Sequence, residues 1–288
     1  MTNEPSSSAA AKNSGTSATY AMGTSDHERK RLMRQGAILR EPLAAAFRAA
    51  GITSGMRVLD IGCGVGDVSI LAAELVGPSG SVVGLDRDPA SVAWATARVA
   101  EGGFTNIKFC AGEFGEFSDP QPFDALVGRF ILMYLPAPEA TLRFLGQYLR
   151  GDARIAFLEP DFTVPSCRFP SNPDFSRYET WMTEVFRRSG ARPDMGMRLY
   201  RTYRDAGFVD TATMISHLSG CGINRQMIDY FVETVRSLLP KILEFGIATR
   251  EEIGIDTLAD RMEAVARETD PQWVGTRYIA AWARKPAT

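Results

Sequence analysis

The chain has 288 residues, 45% of them hydrophobic, and 32 Lys and Arg against 34 Asp and Glu give a net charge of −2. That length and apolar content suit one sizeable α/β domain with an accessory helical part. The near-neutral charge argues against a polyanionic partner, so nucleic acid is not expected as substrate. Cys63, Cys110, Cys167 and Cys221 lie far apart and form no C-x-x-C pair, which argues against a disulfide framework or a zinc site and fits a reducing cytoplasm. No run of about 18 apolar residues predicts a membrane span, and the N-terminus lacks the basic-then-apolar order of a secretory signal.

Residues 1–19 are rich in Ser, Ala, Thr and Asn and read as a disordered tail. Order is expected from Tyr20. Ser25 and Glu28 make an S-x-x-E capping box that opens a helix through His27, Arg31, Leu32, Arg34 and Gln35, so the plain role of Glu28 is a cap. A second helix is predicted near 39–50, ending at Gly51.

Val58-Leu59-Asp60-Ile61-Gly62-Cys63-Gly64-Val65-Gly66-Asp67 then reads as a buried strand, a glycine turn and the start of a helix over 67–76. Glycines at 62, 64 and 66 let a ligand touch backbone, and the helix aims its free N–H groups at that ligand. The spacing is G-x-G-x-G rather than the G-x-G-x-x-G of dinucleotide sites. Asp67 beside the turn would repel a pyrophosphate, so a cofactor with a positive centre is expected.

Ser81–Asp86 is the second strand, and its terminal carboxylate stands where an α/β nucleotide site bonds ribose hydroxyls, with a helix N-cap as the plainer role. A helix near 89–102, a strand at 106–110 and a turn at 111–114 follow. Phe123–Gly128 is the fourth strand, continued by 129–136, and Ala153–Leu158 is the fifth. Glu159 and Asp161, just beyond its carboxyl end, face the expected ligand crevice and are candidates to orient an acceptor or take its proton. Helices are predicted at 171–190, with an aromatic stripe from Phe175 to Phe186, and at 196–206, and a strand at 209–218. The long stretch before the last strand (277–284) holds two helical patterns. The first, 227–245, is expected to kink or break near Pro240; the second, 251–267, is opened by a Thr249/Glu252 capping box. The two histidines, His27 and His217, are candidate bases, although a lone His is more often not one.

The run Leu-Asp-Ile-Gly-Cys-Gly-Val-Gly, with an acid ending the second strand, resembles the first motifs of the class I S-adenosylmethionine-dependent methyltransferases. The likeness covers about residues 20–160 well and is nearest to small-molecule enzymes of the quinone-biosynthesis and natural-product type. It implies an α/β, Rossmann-like, seven-stranded and mostly parallel sheet with helical lid insertions. A cofactor-binding core would span 20–160, and 161–288 would complete the sheet with insertions at 171–190 and 222–270. The resemblance also implies S-adenosylmethionine bound by Asp60, Gly62, Gly64, Gly66, Asp86, Arg87, Gly112, Glu113, Phe114 and Arg129, with Tyr20 and Gln35 reaching the methionine carboxylate or the substrate. Gly112-Glu113 departs from the family's Gly-Asp by one methylene, which puts side-chain contact with the adenine in doubt and leaves backbone N–H groups or Phe114 to serve. The Asn/Asp-Pro-Pro-Tyr/Phe motif of nucleic-acid base methylation is missing after the fourth strand. The expected reaction is methyl transfer to O, N or C of a small, partly apolar metabolite, by positioning and without a metal. Glu159, His27 or His217 would serve as base if one is needed. The alternatives are an RNA or protein methyltransferase, or a protein that binds the cofactor for a rearrangement or for sensing. The sequence is silent on oligomeric state, and a homodimer is compatible with it.

Overall fold

Strict alternation along the strands builds two cores, one on each face of a single sheet. The computed structural model describes residues 21–23 and 25–287; the expected tail and Tyr20 lie outside the described residues. In β1 (Arg57–Ile61), β4 (Phe123–Arg129) and β5 (Leu149–Asp161), Leu59, Ile61, Leu126, Ile155 and Phe157 face one way. Val58, Ala125, Val127, Ala156 and Leu158 face the other. Strands buried on both faces are what a parallel sheet covered by helices requires.

The parallel strands β2 (Ser81–Asp86) and β3 (Ile107–Ala111) lie on one side of β1, and β4 and β5 on the other. The last strand, β8 (Gln272–Arg284), runs antiparallel beside β5, and β7 (Val209–Cys221) covers the outer side of β8 as an edge. An eighth strand joins the seven expected. It is β6 (Cys167–Phe169), which pairs with Gln272–Val274 on the side of β8 that β5 leaves bare after Asp161. It extends the place of β5 rather than widening the sheet.

One face is covered by α1 (Asp26–Ala49) and α2 (Asp67–Val76). The other carries α4 (Pro138–Gly146), α5 (Pro173–Arg188), α6 (Met195–Ala206) and α7 (Arg225–Glu244). Between β2 and β3 runs α3 (Pro89–Glu101), and α8 (Arg250–Ile253) and α9 (Leu258–Thr269) precede β8.

Three helix boundaries differ from expectation. α1 is one helix, not two, and runs through Gly36 and Pro42. An interior proline costs about 3 kcal/mol, but Leu39, Leu43 and Phe47 are each essentially fully buried, and each such burial contributes about 1.5–3 kcal/mol. α7 likewise continues through Pro240, held by Val235, Leu238, Leu239 and Ile242 in the core. The 251–267 pattern is instead two helices, because Gly254 turns to φ +53 and ends the short α8, whose Thr249/Glu252 capping box is formed. At the other capping box only half forms: the Ser25 hydroxyl accepts from Glu28 N–H at 3.2 Å, while the Glu28 side chain turns inward.

Gly36 marks where α1 meets the start of α2. A Cβ there would lie 2.3 Å from Asp67 Cγ, and Asp67 cannot retreat freely because Arg98 holds it at 2.7 Å. Gly36→Ala should therefore destabilise the fold by about 1–3 kcal/mol in urea unfolding, and Gly36→Ala combined with Asp67→Ala should recover part of that loss.

Candidate active site

The glycine turn opens onto one cavity of about 1110 Å³ at the carboxyl ends of the parallel strands. Single-ligand pockets usually hold about 300–1,000 Å³, so the space suits two molecules side by side. At one end lie the turn, Asp86, Arg87, Glu113, Phe114 and Arg129. At the other, side chains from α5, α7 and α9 form an apolar wall.

The three glycines of the turn do different work. Gly62 (φ +66) would drive a Cβ to 2.6 Å from Ile131, whereas a Cβ on Gly64 (φ +50) would meet nothing within 4 Å and would stand in the cavity. Gly66 (φ +87) is off the cavity wall. It is the N-cap of α2, and a Cβ there would press on Phe109 and Ala95. Its place in the motif is explained by packing rather than by ligand contact.

Asp86 lines the cavity and is not a helix cap; Asp88 caps α3. One Asp86 oxygen accepts from Gly64 N–H at 2.8 Å and the other from Asp88 N–H at 2.9 Å. A carboxylate has about four acceptor sites, so two remain for a pair of hydroxyls. Asp60 lies beneath the turn, fully buried and away from the wall; one oxygen accepts from Ser69 at 2.6 Å and the other has no partner. Gly112 also stands off the wall, which Glu113 and Phe114 reach instead.

Asp67 requires a correction of the charge argument. Its carboxylate is 2.7 Å from Arg98 and 3.5 Å from Arg129, so it is neutralised and does not by itself exclude a phosphate. The open Gly64 cradle and the unused acceptor sites of Asp86 instead fit an adenosine with free ribose hydroxyls. Gln35 lines the cavity, but its amide donates to the Tyr230 hydroxyl of α7 at 2.8 Å and so ties α1 to the helical wall.

None of the three candidate bases reaches the cavity wall. His27 is exposed near the start of α1. His217 is exposed on the outer edge strand, its Nδ1 3.3 Å from Gly275 O. Glu159 is fully buried, and its carboxylate accepts the N–H groups of Ile131 at 3.0 Å, Leu132 at 2.8 Å and Met133 at 3.3 Å. Burial pushes this carboxyl up to about 8 against the pull of those amides, but no acceptor proton can reach it. Asp161 is likewise sealed. Burial alone would raise it, yet Thr163 and Arg277 outweigh burial and hold it below the usual carboxylate range.

The acceptor end holds residues whose roles the sequence concealed. Phe175, Met182 and Phe186 of the α5 stripe face the cavity, whereas Tyr178 and Val185 face the core. Phe175 stacks on Phe231 of α7 with ring centroids 4.3 Å apart, and Phe162 stacks on Phe186 at 5.2 Å. Between the two ends, Phe130 takes φ +53 and stacks on Tyr278. The Glu28–Arg31 pair forms two hydrogen bonds of 2.7 Å with both side chains only 2% exposed. The only sequence signal for that pair was its i, i+3 spacing.

A doubly covered parallel sheet with a glycine turn, a carboxylate at the tip of its second strand and an apolar second compartment defines a two-substrate enzyme of nucleoside-cofactor type. Residues 52–189 match the family model described as "Methyltransferase domain". The aklanonic acid methyltransferase of Streptomyces sp. (strain C5) is 30% identical over 181 residues, which are 59% of this chain and 80% of that protein. The demethylmenaquinone methyltransferase of Geobacillus sp. (strain WCH70) is 26% identical over 57% of this chain and 75% of its own length. Among solved structures, the YcgJ protein of Bacillus subtilis superposes with a TM-score of 0.56 at 16% identity, over 86% of this chain and 99% of that one, which shows the fold. The chain belongs to the class I S-adenosylmethionine-dependent methyltransferases and is a methyltransferase acting on small molecules. No helix among the described residues is long and apolar enough to cross a membrane.

Burial pushes the Asp60 carboxyl from 3.8 up to about 7, against its Ser69 hydrogen bond and Arg129. Because the folded value lies above the unfolded one, the native state keeps a proton that the unfolded chain has lost. The stability this proton brings is complete below pH about 4 and is lost as pH rises through about 7. Asp60→Asn removes that dependence. In urea unfolding between pH 4 and 8 the variant should gain on wild type as pH rises, by up to about 4 kcal/mol.

Proposed function

We propose that the enzyme holds S-adenosylmethionine over the glycine turn and a flat, largely apolar acceptor against the helical wall, and methylates an oxygen that is already acidic. The observation that carries this reading is the single cavity joining the Gly64–Asp86 end to the stacked aromatic pairs of α5 and α7. In it, Asp86 accepts the ribose hydroxyls, Gly62 and Gly64 admit the cofactor close to backbone, and Phe114 with Glu113 borders the adenine. Bound there, the cofactor supplies a methyl group activated by its sulfonium.

The chain's own contribution is mainly positioning, which can lower a barrier by about 7–11 kcal/mol in favourable cases. Aromatic and Met walls exclude water and align the acceptor oxygen. The choice of an acidic oxygen rests on the groups that border the cavity. Among the described residues no histidine lines it, Glu159 and Asp161 are closed off, and Glu179, the carboxylate of the acceptor end, has its two oxygens engaged by the Ser166 hydroxyl and N–H. Tyr134 and Tyr278 line it, but burial raises both phenols well above their ordinary value, so neither is a base near neutral pH. A phenol, enol or acid that ionises on its own needs no base from the protein.

Calorimetric titration with S-adenosylhomocysteine should show micromolar binding, and NADH should show none. Asp86→Ala should weaken S-adenosylhomocysteine by tenfold or more while leaving the urea midpoint near that of wild type. With labelled S-adenosylmethionine, hydroxynaphthoquinones and polycyclic phenols should accept methyl at rates that rise with pH through the acceptor's own pKa. Transfer to matched aryl amines but not to these phenols would refute the assignment of the oxygen.

A further inference from the structure

The acceptor wall contains one cation that the reading above does not use. Arg168 lies on β6, where its guanidinium carbon sits 3.3 Å from the centre of the Phe175 ring. It lines the cavity with Phe175 and Glu179 of α5. Stacking on an aromatic face fixes the plane of the guanidinium and leaves its N–H groups pointing outward along the edges.

Those edges are short of partners. Arg168 Nε is buried without a hydrogen-bond partner, and among the described residues no carboxylate lies within salt-bridge distance of the side chain. Of the other arginines of the cavity wall, Arg87 stands at the cofactor end, while Arg29 pairs with Asp26 at 2.6 Å, Arg31 with Glu28 at 2.7 Å and Arg129 with Asp67 at 3.5 Å. Glu179 acts on Arg168 only through its field, because its two oxygens are engaged by the Ser166 hydroxyl and by Ser166 N–H at 3.3 Å. Burial pulls the Arg168 guanidinium down to about 10 in spite of Glu179. A part-buried cation held flat against a ring, with the nearby carboxylate committed to Ser166, is unfavourable unless something brings it a direct counter-charge.

We propose that Arg168 anchors a carboxylate carried by the acceptor, so that the substrate is a flat, apolar carboxylic acid held at one end by charge and along its face by aromatic rings. The planar fork of a guanidinium matches the two oxygens of a carboxylate, which makes the pair directional as well as strong. Phe175, which orients Arg168, also stacks on Phe231, so the polar anchor and the aromatic wall share one side chain. The proposal rests on the two-ligand reading of the cavity and adds the chemical class of the second ligand.

The test is calorimetric titration of the whole protein, first with S-adenosylhomocysteine and then, once saturated, with anthraquinone-2-carboxylate and with its carboxamide. Naphthalene-2-carboxylate and naphthalene-2-carboxamide form a second pair. The wild-type protein should bind the acid of a pair about tenfold or more tighter than the amide. Arg168→Gln should remove that preference, Arg168→Lys should keep part of it, and both variants should bind S-adenosylhomocysteine as wild type does. Equal affinity of wild type for acid and amide, no binding of either acid, or a preference that survives in Arg168→Gln overturns the proposal while the cofactor reading stands. Failure of wild type to bind S-adenosylhomocysteine overturns both.

Discussion

The cavity depends on a buried carboxylate that stands behind its wall. Glu159, at the end of β5, takes three successive backbone N–H groups from the segment that leaves β4. That segment has turned sharply, with Phe130 at φ +53, and without Glu159 its amides would face the protein interior unpaired. An unmet buried donor costs about 1–3 kcal/mol, so satisfying three of them offsets much of the penalty of burying one carboxyl. The clamp joins two neighbouring strand ends and sets Ile131, Met133 and Tyr134 on the cavity wall between its two compartments. A carboxylate at a strand's carboxyl end can therefore build a site without acting in it.

The same economy of charge runs through the rest of the cavity. Asp67 and Glu28 on its wall and Asp161 behind it are each matched to an arginine, so much of the buried charge around the cavity is paired. Asp86 differs at the cofactor end: its partners are backbone amides rather than cations, and it keeps acceptor sites for hydroxyls. Arg168 is its counterpart at the acceptor end. Neutralised walls let apolar contact dominate, and the few groups left unmatched set orientation.

The two compartments are built from different material. The cofactor end stands on strand tips and the tight turns between them, whose positions are fixed by the sheet register. The acceptor end stands on helices inserted after β5 and between β7 and β8, whose faces meet one another across the cavity. Gln35 of α1 bonded to Tyr230 of α7 joins the two. Sheets of this kind keep their ligand crevice and vary the segments around it.

Local signals in the sequence were enough for the strand–turn–helix at 57–76, the acid ending β2 and the order of the remaining strands, because alternation, glycine spacing and caps act within a few residues. The aromatic stripe of α5 was visible too, though not which of its members would face the cavity. What tertiary structure alone decided were matters of partner and depth. Gly66 serves packing because Phe109 and Ala95 happen to lie against it. Asp67 is paired with Arg98, 31 residues away in the chain. α1 survives Pro42 because its apolar face is buried, and β6 exists because β5 stops short of the end of β8. Glu159 looks from the sequence like a base facing a crevice, and only the fold shows three amides closing over it. A residue type and its place on a strand follow from short-range chemistry, whereas whether its polar atoms are spent on the protein or left for a ligand depends on chain segments far away in sequence.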